Sequence, residues 1–337
     1  MKKLRVGIMG ATGVVGQNLL EVLHKRQFPL ERLRLFASTR SEGKKIETPF
    51  GSLTVENADG ADYSELDMAF FAIGAGWPKE NAPKATAAGC VVIDNSSTFR
   101  YDPGVPLVIP EINPQAIGTA LLIANPNCTT AIAAIPLWVI HQNYGLCKVF
   151  VSTYQATSGA GDKGMAELEA ETRKVLNGEP AGHEIFVHPI PFNLIPHIDG
   201  FQENSYTKEE MKVVWETRKI FGDDTIPISC TCVRIPTMRA HSESIVVETK
   251  KPINPDDVRQ LLSKTPGVKV KDDTKANVYP MPINASGQFD VEVGRIRQNL
   301  IFGSCGLEFF VCGDQLLKGA ALNAVQIGEI VIKQRYS

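Results

Sequence analysis

At 337 residues the chain is long enough for two domains, or for one large α/β domain with an added layer. Its 43% hydrophobic and 21% charged residues are those of an ordinary globular protein, and a formal net charge of -2 gives no basic field for nucleic acid or an anionic membrane. No stretch approaches the roughly 18 uninterrupted apolar residues of a membrane span.

The start, Met1-Lys2-Lys3-Leu4-Arg5, has the charge of a signal peptide, but Gly7, Gly10, Thr12 and Gly13 break the apolar run behind it. A strand entering a turn is the better reading, and a cytoplasmic protein is expected. Leu4, Val6 and Ile8 mark that strand; Leu19, Leu20, Val22 and Leu23 follow at helical spacing. Further strands are predicted at Leu33–Ala37, Met68–Ile73, Val91–Asp94, Leu107–Ile109 and Leu121–Ala124. Strands alternating with helices imply crossover connections and a parallel sheet, the doubly wound α/β class. Beyond Cys128 the pattern changes. A helix is predicted over Ala131–Ile140 and strands at Val149–Gln155, Ser229–Ile235, Glu243–Glu248 and Gly306–Val311, which suggests an α+β domain with a largely antiparallel sheet. The division expected is 1–127 for a Rossmann-type dinucleotide-binding domain and 128–313 for a catalytic and dimerisation domain. A closing helix over 314–337 would pack back on the first.

Gly10-Ala11-Thr12-Gly13-Val14-Val15-Gly16 lies between the first strand and the first helix. Glycines there allow a tight turn, so that backbone N–H groups from Gly10, Thr12, Gly13, Val14 and Val15 can approach a pyrophosphate at the helix N-terminus. The spacing is GxxGxxG rather than the commoner GxGxxG, but the strand-to-helix context is the confirming one. At the end of the second strand an NAD site would place an acidic residue. Ser38, Thr39 and Arg40 stand there instead, with Glu42 one residue too late, and these donors suit the 2′-phosphate of NADP.

Of seven cysteines, Cys128 alone follows a polar approach, Asn125-Pro126-Asn127, at a predicted strand-to-helix junction. A helix N-terminus favours the thiolate, so Cys128 is the candidate nucleophile. The other six show no CxxC spacing and are expected to be structural; neither a disulfide framework nor a metal site is suggested. His183, His188 and His197 share a proline-rich stretch without acidic or cysteine partners at ligand spacing.

With these motifs in hand the chain resembles the aspartate-semialdehyde dehydrogenase family. The resemblance rests on the Gly10–Gly16 turn, Ser96–Arg100, Asn127-Cys128-Thr129, Gln155–Gly161, Arg234–His241 and Asp314–Leu317, in family order over nearly the whole chain. It implies NADP-dependent reductive dephosphorylation of aspartyl phosphate, through a thioacyl-enzyme on Cys128, in the biosynthesis of lysine, threonine, methionine and diaminopimelate. A homodimer with only small-molecule substrates is implied as well. It also implies His241 as general acid/base and Gln155 as the amide that orients the acyl group. Arg234 would bind the substrate carboxylate, with Arg239 in reserve; on a strand the two would face opposite ways. Arg100 and Lys219 would hold phosphate, Glu216 the ammonium group, and Asn127 the substrate beside the thiol. Ser158, Gly159 and Gln315 would line the nicotinamide. Asn299 departs from the family, which often has an acidic residue there; a subunit contact or hinge is the expected consequence. Two enzymatic alternatives share the chemistry, the N-acetyl-glutamyl-phosphate reductases and, more distantly, glyceraldehyde-3-phosphate dehydrogenase. Glu216 and Lys219 favour a substrate with a free ammonium.

Overall fold

Leu4, Val6, Ile8 and Met9 are wholly withdrawn from solvent, and they form the first strand, β1 (Leu4–Met9). The structure is a computed structural model that describes residues 2–335; Met1, Tyr336 and Ser337, the extremes of the spans expected for the first domain and the closing helix, lie outside the described residues. The chain forms two compact units, one from residues up to Asn127 with those from Ala320 onward, the other Cys128–Gly319.

In the first unit β1 leads into α1 (Val14–Lys25), whose Leu19, Leu20, Val22 and Leu23 make one buried stripe. The chain returns as β2 (Leu30–Ala37), then a hairpin of β3 (Lys45–Thr48) and β4 (Gly51–Asn57). Next come β5 (Met68–Phe71), α2 (Gly76–Ala87), β6 (Val91–Asp94) and β7 (Leu122–Ala124). The sheet order is β3-β4-β2-β1-β5-β6-β7, with only the β3–β4 pair antiparallel. Central β5 and β6 are buried along their whole length, as strands covered on both faces must be. This is the Rossmann-type sheet expected. The hairpin was not expected, because its strands are largely solvated and no apolar run announces them. Leu107–Ile109, predicted as a strand, makes only an isolated bridge from Leu107 to Ala124. Pro106 and Pro110 flank it, and proline cannot donate to a ladder.

The second unit opens with α3 (Cys128–Tyr144), then β8 (Leu146–Gln155), α4 (Gly161–Leu176) and α5 (Lys208–Phe221). A capping box starts α5, Thr207 accepting from the Glu210 N–H while the Glu210 carboxylate accepts from the Thr207 N–H at 2.7 Å. There follow β9 (Ile228–Arg234), β10 (His241–Thr249), α6 (Pro255–Ser263), β11 (Val268–Val270), the short α7 (Pro282–Ala285), β12 (Val291–Gln298) and β13 (Gly306–Gly313). The sheet runs β11-β12-β13-β10-β8-β9; β13 pairs antiparallel with β10 and β12, β10 does so with β8, and the two outer pairings are parallel. Along β8, Val149, Val151, Thr153 and Gln155 point inward while Lys148, Phe150, Ser152 and Tyr154 point out. Helix α3 covers the inward face of β8, β10 and β13, and α5 packs on β9.

The closing helix starts later than predicted. Asp314 Oδ1 accepts from the Leu316 N–H at 3.0 Å and turns the chain, a π-helical stretch spans Leu317–Ala321, and α8 (Leu322–Arg335) follows. Within the first unit α8 packs on α1, where Arg26 Nε donates to Glu329 at 2.6 Å. Among the described residues no helix is long and apolar enough to cross a membrane.

Candidate active site

Strand register in the second unit sets three predicted residues in one row. Gln155, last on β8, pairs with Arg234, last on β9. On the other side Ser242 pairs with Tyr154, which sets His241, first on β10, beside Gln155; His241 itself pairs with Gly313 of β13. All three side chains face the side covered by α3 and are buried. Cys128 is the first residue of α3, where unsatisfied N–H groups and the helix dipole favour a thiolate. A Cβ on Gly319 would stand 2.7 Å from Cys128 Cβ, so the π-helical turn passes hard against the backbone of Cys128.

The main chain of Ala156 links the two neighbouring strands. Its N–H donates to His241 Nδ1 at 3.1 Å, and its carbonyl accepts from Arg234 Nη1 at 2.5 Å. A Cβ on Gly159 would lie 2.7 Å from Arg234 Nη1 and 3.4 Å from His241 Nε2; a glycine there leaves both groups room. Burial, and then the Arg234 charge, lower the His241 imidazole to about 3. Arg234 is itself lowered by burial, against the opposing pull of Glu209 and Cys128.

Gln155 is held at both ends: Thr153 Oγ1 donates to its Oε1 at 2.9 Å, and its Nε2 donates to Glu209 Oε1 at 3.1 Å. An amide still has a second proton and lone pair for a ligand. Gln315 is likewise engaged, accepting from the Ala240 N–H at 2.8 Å and donating to Ser158 Oγ. Ala240 adopts φ 69, unfavourable for a residue with a Cβ, so Gln315 helps hold the turn that delivers His241. Glu216 is wholly buried and Lys219 half-buried, three apart on α5. Arg239 is corrected. β9 ends at Arg234, so strand alternation does not govern Arg239; it lies in the following turn and its Nε donates to Asp314 at 2.6 Å. Asn299 accepts from the N–H groups of Ile301 and Phe302 and donates to Glu308, tying the β12–β13 connection.

The first unit holds the remaining predicted residues. Gly10 has φ 90, and a Cβ there would lie 2.4 Å from the Ala72 carbonyl oxygen; one on Gly16 would lie 2.3 Å from that of Gly10. Gly13 is the N-cap of α1 without a side-chain cap, and a Cβ on it would meet nothing nearer than 3.6 Å. The start of α1, through Thr12, Val14 and Val15, is therefore a bare N-terminus with no acidic residue in its first turn, a fit for a pyrophosphate. Ser38, Thr39 and Arg40 are exposed at the end of β2. Buried Arg100 is anchored by Nε to the Asn125 carbonyl at 2.9 Å and by Nη2 to that of Asn95 at 2.8 Å. Asn127, also buried, precedes Cys128.

Residues 5–120 match the family described as semialdehyde dehydrogenase, NAD binding domain, and residues 137–318 match semialdehyde dehydrogenase, dimerisation domain. The chain is 47% identical to the aspartate-semialdehyde dehydrogenase of Legionella pneumophila, covering 99% of this chain and 97% of that one. With the Synechocystis enzyme it shares 45% over 98% of each. The chain belongs to the aspartate-semialdehyde dehydrogenase family. Among solved structures, aspartate semialdehyde dehydrogenase II of Vibrio cholerae, complexed with ASA, superposes with a TM-score of 0.96 at 43% identity over the whole of both chains.

In this member of the aspartate-semialdehyde dehydrogenase family, some residues of the site gave no sign in the sequence. Ala156 acts through its main chain, which no side-chain motif reveals. Glu209 carries the Gln155 amide and a 2.9 Å pair with Lys212; only the Thr207–Glu210 capping signature marks its neighbourhood. Glu243 was within reach of alternation: two residues beyond His241 on β10, it had to face the same buried side.

Proposed function

We propose that this chain catalyses the NADP-dependent reductive dephosphorylation of L-aspartyl-4-phosphate to L-aspartate 4-semialdehyde and phosphate, and the reverse, in lysine, threonine, methionine and diaminopimelate biosynthesis. The observation that carries it is the buried row of Gln155, Arg234 and His241 on the sheet face that α3 covers, with Cys128 the first residue of α3. Cys128 attacks the acyl carbon as a thiolate, phosphate leaves with the bonding pair of the broken C–O bond, and a thioester remains on sulfur. Gln155 orients the acyl group, and His241 serves the reacting oxygen at Nε2. Arg234 takes the substrate carboxylate, because its planar fork suits bidentate pairing and Arg239 is already paired with Asp314. Arg100 and Lys219 hold phosphate, Glu216 the ammonium group, and Asn127 lies beside the thiol.

The Gly10–Gly16 turn with Thr12, Gly13, Val14 and Val15 receives the pyrophosphate; Ser38, Thr39 and Arg40 receive the 2′-phosphate that distinguishes NADP. Ser158, Gly159 and Gln315 line the nicotinamide side. Bound there, the cofactor supplies the hydride that reduces the thioester carbon. The working form is a homodimer through the outer face of the second sheet, where Phe150 is 44% and Tyr154 37% exposed. Seven cysteines without a disulfide, one of them needed as a thiolate, suit the reducing cytoplasm.

The test is NADP reduction by aspartate semialdehyde and phosphate, run beside N-acetyl-glutamate semialdehyde. The proposal expects turnover with the first that depends on phosphate. Preferential turnover of the acetylated substrate would overturn the assignment of Glu216 and the substrate with it.

A further inference from the structure

The chain that follows α4, from Asn177 to Pro189, is largely exposed, and Phe186 is its one buried residue. Two carboxylates one turn apart on α4 hold this loop by its main chain. Glu167 accepts from the N–H groups of Glu184 at 2.9 Å, Ile185 at 2.6 Å and Phe186 at 3.3 Å, and Glu171 accepts from that of Gly182. The Phe186 ring enters a small core with Leu168, Ile190 and Ile195. Its tip reaches α4, where a Cβ on Gly164 would come within 3.1 Å of it. The Arg234 guanidinium carbon stands over the same ring, 5.7 Å from its centre. Within about 6 Å an aromatic face attracts a cation, and more strongly where water is excluded. Ile195 fixes the Arg234 backbone from the same cluster. Its N–H donates to the Arg234 carbonyl at 2.9 Å, and its carbonyl accepts from the Arg234 N–H at 2.8 Å.

One hydrogen bond places a guanidinium without orienting it. Among the described residues the Arg234 side chain makes one, from Nη1 to the Ala156 carbonyl, and the planar group can turn about it. Bidentate pairing with a carboxylate needs the plane as well as the place. We propose that Phe186 is a positioning residue for Arg234: its ring backs the guanidinium and sets the plane in which that fork meets the substrate carboxylate. Glu167 keeps the ring in place by gripping the backbone of residues 184–186. The proposal rests on the carboxylate role given above to Arg234, and Phe186 itself touches no reacting atom.

The test is steady-state kinetics of NADP reduction, with aspartate semialdehyde, phosphate and NADP each varied in turn. Phe186→Leu keeps an apolar side chain and removes the flat face. The KM for aspartate semialdehyde should rise about five- to thirtyfold, with kcat changed less than about threefold and the KM values for phosphate and NADP unmoved. Glu167→Ala, a change at a partly exposed position that leaves the ring itself intact, should move the same KM in the same direction. It keeps the proposal open to refutation if Phe186→Leu does not fold. An unmoved KM for aspartate semialdehyde in a folded variant overturns the proposal, and so does a rise shared equally by phosphate and NADP, the mark of a residue that serves the core alone. Arg234→Lys separates the two claims. A raised KM there beside an unmoved one in Phe186→Leu refutes the positioning role alone, whereas an unmoved KM in Arg234→Lys removes the carboxylate role and the positioning role with it. In the Arg234→Lys background Phe186→Leu should add less than about twofold, since no guanidinium plane remains to be set; a full further rise would show that the ring acts elsewhere.

Discussion

Glu243 shares the buried face of β10 with His241, yet among the described residues neither of its carboxylate oxygens has a hydrogen-bond partner. Burial raises its carboxyl well above the ordinary range, so it is neutral where an unfolded chain would ionise it. A folded-state value raised in this way means stability that is complete below the unfolded carboxylate range and is lost as pH climbs toward the folded value. Glu243→Leu should therefore stabilise the protein by about 1–3 kcal/mol near neutral pH, because an uncompensated polar group is removed. Thermal melts against pH check this: the gain should shrink toward pH 4, and a gain independent of pH would contradict it. At the cofactor end, Arg40→Ala should weaken NADPH and leave NADH little changed, measured by titration of each; equal losses would remove the 2′-phosphate role. Cys128 and Arg40 could be singled out in the sequence because their context is local: a polar approach to a helix start, and the end of the second strand. Alternation along β10 could have placed Glu243 on the buried face but not shown it to be unpartnered, and Ala156 left no sign, since it acts through its main chain.

The strand ends and helix starts determine which side chains meet. Gln155 and Arg234 are the last residues of β8 and β9, and His241 is the first of β10, so a slip of one residue in any pairing would turn that side chain to the opposite face. The π-helical turn at Leu317–Ala321 adds a tighter constraint. Gly319→Ala would put a Cβ 2.7 Å from Cys128 Cβ and 3.0 Å from its Cα. Backbone at Cys128 must then shift, a strain of about 1–3 kcal/mol, and kcat should fall more than tenfold, well beyond what the loss of stability explains. Steady-state kinetics beside a melting curve decide it; unchanged kcat would show that the turn does not position Cys128. Apolar periodicity revealed the longer elements, including most of α3 and β8. It could not reveal β3 and β4, whose residues are mostly solvated, or distinguish the proline-flanked Leu107–Ile109 from a strand.

At the scale of the whole chain, the two units differ in build: a nearly all-parallel sheet with a glycine turn, which matches an NAD binding domain, and a mixed sheet that carries the row of Gln155, Arg234 and His241. The family matches divide the chain in the same sense, 5–120 and 137–318. The outer face of the second sheet, with exposed Phe150 and Tyr154 on alternate positions of β8, is apolar enough to be covered by a second copy. Phe150→Asp should shift sedimentation from dimer toward monomer at low micromolar concentration, and an unchanged coefficient would place the interface elsewhere. The central claim is that Cys128 carries the acyl group. Mixing the protein with aspartyl phosphate in the absence of NADPH, quenching in acid and mapping peptides by mass spectrometry tests it most directly. The account predicts an aspartyl thioester on the peptide containing Cys128, formed with stoichiometric phosphate release and absent from Cys128→Ala. Phosphate release without an adduct, or an adduct on another cysteine, would contradict it.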